Sequence, residues 1–146
     1  MKELIEQMKV SLASVFSLYL KTHNFHFNVE GPNFPQYHEF LEDMYKEIFK
    51  SFDPMAEELR TLQAYVPASL SRFQALSLVE DELNIPSPIN MMKQLQADNL
   101  RVIGQLKKTH RIAEEENACG LVNFLEDRID QHYKHDWKLR SITKVG

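Results

Sequence analysis

The stretch THNFHFNVEGPNFPQYHEF, residues 22–40, carries three of the six histidines around a short break. His23 and His26 precede Gly31-Pro32, and His38 follows it. Glu42 lies four residues past His38, and Glu57 lies four past Asp53. On a helix that spacing places each pair on one face, a turn apart. Imidazole nitrogens combined with carboxylate oxygens suit Fe, Mn or Zn, and without a thiolate the mixture leans to iron or manganese. One such polar pair is ordinarily a solvated helix face; only the combination asks for a metal.

Chain geometry constrains how these residues can combine. Two helices joined by the short Gly31-Pro32-Asn33 break run antiparallel, which brings His26 beside His38, with Glu42 in reach of the same cluster. Asp53 is eleven residues past Glu42 on the same helix. That is about 16 Å along the axis at ~1.5 Å per residue, whereas metal–ligand bonds are about 2 Å. One ion cannot join the two clusters within one chain. If both bind metal, a second subunit brings its Asp53 and Glu57 to the first subunit's histidines, and a two-fold dimer makes two equivalent sites. Di-iron bundles with the site inside one chain place Glu-x-x-His on each of two helices. No Glu-x-x-His occurs in this sequence, which removes that arrangement.

The elements that must position these residues are helices. Leu4, Ile5, Met8, Leu12, Val15, Phe16, Tyr19 and Leu20 recur at helical spacing and predict a first helix to about Phe27. Phe40, Leu41, Met44, Ile48, Phe52, Met55, Ala56 and Leu59 predict a second, from near Pro35 to before Val66-Pro67. Pro54 falls inside it and predicts a bend, since the stripe continues beyond. Residues 69–78 predict a short helix capped by Ser69 or Ser71. A third long helix is expected over residues 89–115, with Met92, Leu95, Leu100, Ile103 and Leu106 on its apolar side. A fourth is expected over residues 121–142, with Leu125, Ile129, Tyr133, Trp137 and Leu139. The sum is an all-α fold: one domain over residues 1–146, a ferritin-like four-helix bundle with a short helix in the long crossover between the second and third helices.

The totals narrow the function classes. With 43% hydrophobic residues, 26% charged residues and a net charge of −4, the chain is no polyelectrolyte partner for nucleic acid. No stretch has the ~18 apolar residues of a membrane span, and no secretory signal is evident. The single Cys119, read as part of a helix-connecting turn, fits a reducing compartment, so a cytoplasmic location is expected.

The stretch THNFHFNVEGPNFPQYHEFLEDMYKEIFKSFDPMAEELR resembles the signature of the Dps family of mini-ferritins. That signature is His-x-x-His-Trp-Asn-Val-x-Gly, then Phe-x-x-x-His-Glu, then Asp-x-x-Ala-Glu. The likeness runs over nearly the whole chain, to DRIDQHYKHDWKLRS. It implies a homo-oligomeric, dodecameric cage whose ferroxidase sites at two-fold interfaces oxidise Fe(II), preferentially with hydrogen peroxide, and store ferric iron. Residue by residue, it implies His26 and His38 as histidine ligands, Asp53 and Glu57 as carboxylates given by the partner, and Glu42 as an assisting acid.

The sequence also departs from the family pattern. Phe27 stands where many members have an oxidisable tryptophan, and is expected to be a core residue. The only lysines near the chain start are Lys2 and Lys9, and Lys138, Arg140 and Lys144 make a mildly basic end, so DNA binding is expected to be weak or absent. Pore-lining acids of the family align with Ala118, Asn123 and Asp127, with Glu114, Glu115, Glu116 and Glu126 nearby as substitutes. Of the remaining histidines, His23 is expected to position iron or water without ligating it. His110 is expected at the surface, and His132 with His135 as a surface pair. Tyr133 and Trp137 are expected to pack in the bundle or in an interface.

Overall fold

The computed structural model describes residues 1–145. Its elements are α1 (Lys2–Asn28), α2 (Phe34–Thr61), α3 (Leu70–Leu76), α4 (Pro88–Glu115) and α5 (Cys119–Thr143). The four long helices form the bundle, and α3 sits in the crossover between α2 and α4. The helix α4 packs on α5, and α1 packs on α2, α3 and α4.

Local chemistry explains the boundaries. The break after α1 is tight because Gly31 has φ +122°, a backbone conformation that a side chain resists. Pro35 falls in the first turn of α2, where its missing N–H costs nothing. Ser69 and Ser87 accept hydrogen bonds from the backbone N–H groups of Arg72 and Asn90, capping α3 and α4. Pro54 leaves α2 continuous to Thr61, because burial of Met55 and Leu59 beyond it holds the helix on the core. The helix ends some residues short of Val66-Pro67, where Gln63 turns at φ 64°.

One core runs through the bundle: Leu4, Met8, Leu12 and Leu18 of α1, Leu41, Met44 and Ile48 of α2, Met92, Leu95 and Leu106 of α4, and Leu125 and Leu139 of α5. Phe73 of α3 is buried against Phe16, ring centroids 4.9 Å apart, so the short helix closes the flank of α1. Lys21, on α1, pairs with Asp98 of α4 at 2.8 Å and donates to the Glu80 carbonyl at 2.9 Å, which ties the crossover to the bundle.

Some residues expected on the inward stripes face out. Leu20 and Leu100 are 45% and 48% exposed. Tyr133 and Trp137 are 44% and 57% exposed, so neither packs inside its own bundle. The inward row of α5 is instead Leu121, Leu125, Arg128, His132, His135, Asp136 and Leu139. Cys119 is exposed and opens α5.

Candidate metal half-site

His26 and His38 meet across the α1–α2 break. Their rings stack with centroids 3.8 Å apart and an interplanar angle of 18°. The Nδ1 of His26 lies 2.9 Å from the His38 carbonyl oxygen, and the Nδ1 of His38 lies 2.9 Å from the His26 carbonyl oxygen. A carbonyl can only accept, so each Nδ1 carries the proton and donates. Each neutral ring is thereby the tautomer whose Nε2 bears a lone pair, with its orientation locked by the other's backbone. The reciprocal pair exists because the break returns the chain within one turn of where it left α1.

Glu42 stands one turn along α2 from His38. Its Oε1 is 3.9 Å from the His26 Nε2, and its Oε2 accepts from Lys46 at 3.1 Å. The hydrogen bond from Lys46, and then the Lys46 charge, hold the Glu42 carboxyl below its usual range. His26, His38 and Glu42 do not by themselves close a three-ligand cluster: among the described residues, only His110, Glu114 and Glu126 bring three such ligand atoms within 4.8 Å of one another. Asp53 and Glu57 are exposed farther along α2. The unbroken helix between Glu42 and Asp53 keeps them about 16 Å from the histidine cluster. The chain therefore presents the two predicted clusters apart and joins neither to the other.

His23 sits behind the pair. It stacks on Tyr45 with centroids 3.8 Å apart and on Phe27 at 4.3 Å, and its Nδ1 is 2.9 Å from the Tyr19 hydroxyl. Burial, and then the neighbouring His26, lower its pKa, which favours a neutral ring. Phe27 is 67% exposed, not core, while Phe25 and His26 turn inward.

His132 and His135 correct a second expectation. They are buried, at 0% and 5% exposure, and they anchor a polar network inside the bundle. His132 Nδ1 is 2.8 Å from the Asn99 Oδ1, and the Asn99 amide donates to the His132 carbonyl at 2.8 Å. Arg128 faces His132 Nε2 at 3.3 Å and pairs with both oxygens of Glu47, while His135 Nε2 donates to Glu47 at 2.7 Å. Burial alone would raise the Glu47 carboxyl. Hydrogen bonds from His135 and Arg128, with the Arg128 charge, outweigh it and hold the group far below its usual range. Burial, and then the Arg128 charge, push His132 well below its ordinary value. The sequence signal for this network was spacing: residues 121, 125, 128, 132, 135 and 139 step by four and three, whatever their polarity.

A ferritin-like domain family matches residues 5–145. Antigen TpF1 of Treponema pallidum is 37% identical over 96% of this chain and 80% of its own length. The DNA protection during starvation protein of Brevibacillus brevis is 29% identical over 99% of this chain and all of its own. A crystal structure of a Dps protein from Bacillus brevis superposes with a TM-score of 0.93 at 26% identity, covering 98% of this chain and 96% of that one. This chain belongs to the ferritin-like family and, within it, to the Dps mini-ferritins.

Proposed function

We propose that this protein is a ferroxidase and iron store. It oxidises Fe(II), preferentially with hydrogen peroxide, at sites shared between two subunits, and holds the ferric product in a hollow dodecameric cage. Family membership supports an iron-related role in general. The observation that carries the reading is the reciprocal hydrogen bonding of His26 and His38, which leaves two oriented Nε2 lone pairs on one surface.

Fe(II) is the substrate. His26 and His38 receive it, with Asp53 of the partner subunit and Glu57 of the partner subunit supplying the remaining ligands. Each Fe(II) gives up one electron; two electrons reduce one peroxide, whose O–O bond breaks and whose oxygens leave as water after taking up protons. Hard carboxylate oxygens favour the ferric product, which assists oxidation. Glu42, kept ionised by Lys46, adds negative charge beside His26 where iron arrives. Because the ligands are few, the product iron can move on to a mineral.

The test is anaerobic Fe(II) loading of the purified particle, then peroxide, followed by absorbance. His38→Ala and Asp53→Ala should each fall to the rate of iron in buffer. Co-assembled with random pairing, the two variants should regain about a quarter of wild-type activity, because half the dimers are mixed and each restores one of its two sites. No recovery on co-assembly would contradict the shared site, and equal activity of wild type and both variants would contradict the residues. Light scattering distinguishes a twelve-chain particle from the 17.1 kDa chain.

DNA binding is proposed to be weak or absent, given a net charge of −4. Full retardation of plasmid at moderate salt would contradict this. No described helix is long and apolar enough to cross a membrane, and a cytoplasmic location is proposed.

A further inference from the structure

We infer a second cation site, built by His110, Glu114 and Glu126 of one chain and separate from the histidine half-site. The His110 Nε2 is 3.0 Å from Glu126 Oε2 and 3.8 Å from Glu114 Oε1, and all three ligand atoms lie within 4.8 Å of one another. Ligand atoms about 2.0–2.2 Å from one metal are at most about 4.4 Å apart. Small rotations of two exposed Glu side chains therefore close the set.

The backbone under these residues is rigid. His110 and Glu114 are one turn apart on α4, and Glu126 comes from α5 across the α4–α5 turn. Asn117 turns there at φ 56°, and the Ala118 N–H bonds the Ala113 carbonyl at 3.0 Å, satisfying an otherwise orphaned carbonyl of the helix end. The Met1 ammonium pairs with Glu116 at 2.6 Å and ties the chain start to the same turn. His110 is half-buried and already directed at Glu126 by its hydrogen bond.

Electrostatics favours an added cation. Glu114 and Glu115 end α4 and Glu116 caps it, and no basic residue occupies the last turn. The negative end of a helix disfavours anions; the Met1 ammonium offsets Glu116, which leaves His110 as the ion-pair partner of Glu114 and Glu126 among the described residues. Lys107 is drawn toward Tyr133, its Nζ 3.3 Å from the hydroxyl. The cluster opens into a hollow of about 450 Å³, ample for waters to complete the coordination. One imidazole and two carboxylates select a first-row divalent transition ion over Mg(II) or Ca(II), which prefer oxygen alone. The ion would take the Nε2 lone pair of the tautomer that carries its proton on Nδ1.

The probe is Co(II) alone, titrated calorimetrically and by its visible absorption into iron-free assembled protein carrying His38→Ala, which takes one ligand from the half-site. That background should still bind Co(II), with excess Mg(II) failing to displace it. Adding His110→Gln or Glu126→Gln should weaken binding by at least about tenfold, the lower bound set by losses of even outer partners. Light scattering identifies intact particles for each variant. If the His38→Ala protein binds no Co(II), or if both further substitutions leave its affinity unchanged, the site is wrong. Neither result bears on the ferroxidation assay, which reads the half-site.

Discussion

His26–His38 and His132–His135 are two histidine pairs in one bundle, and they are wired in opposite ways. In the first, each Nδ1 is committed to the other residue's backbone and each Nε2 is left for a ligand. In the second, Nε2 of His132 faces Arg128 and Nε2 of His135 is bound to Glu47. A cation is already supplied there by the Arg128 guanidinium. The first pair leaves both Nε2 atoms without a hydrogen-bond partner among the described residues, as the proposed metal site requires, whereas the second holds α2, α4 and α5 together. Histidine near a carboxylate is thus no metal signature by itself.

The contrast can be broken from either side. The largest stability loss should come from Arg128→Met, which leaves half-buried Glu47 without its bidentate partner and should cost roughly 1.5–3 kcal/mol in denaturant unfolding. Asn99→Ala removes both bonds to His132 and should cost roughly 1–3 kcal/mol. His38→Ala should behave inversely. It should lose one hydrogen bond of the reciprocal pair, about 1 kcal/mol, and with it the proposed Fe(II) oxidation, read by absorbance after peroxide. Phe27→Ala, at a largely exposed position, should stay within about 0.5 kcal/mol in the same measurement.

Acid should expose the second pair selectively. The folded His132 refuses a proton that the unfolded chain accepts near its ordinary value of 6.5, so stability falls as pH drops through that value. Glu47 is held below its ordinary 4.5, so its contribution is present above that pH and is lost as pH falls further. Both signs agree. Unfolding free energy should decline from neutral to acid pH, and His132→Gln should flatten the upper part of that decline.

Much of the fold was legible from apolar spacing. All five helices lie where periodicity, Gly31-Pro32 and the Ser69 cap indicate, because local propensity and burial agree there. The α5 pattern misled at Tyr133 and Trp137, since reading only apolar residues skipped an inward row that turns polar after Leu125. His132 and His135 were misjudged for the same reason: a buried histidine is betrayed by its partners, and Glu47 and Asn99 come from other helices. Phe27 was misplaced because one residue's rotation, from His26 to Phe27, separates the inside of α1 from its outside.

The sequence by itself determined the helices, the break that pairs His26 with His38, and the distance that keeps Asp53 and Glu57 from them. These follow from spacing along a rigid helix, which needs no tertiary information. Only the tertiary structure decided which ring nitrogens are free, that Arg128 fills the interior polar cluster, and that His110 meets Glu126. Each of these depends on side chains from different helices meeting at hydrogen-bonding distance, and one-dimensional spacing carries no record of that.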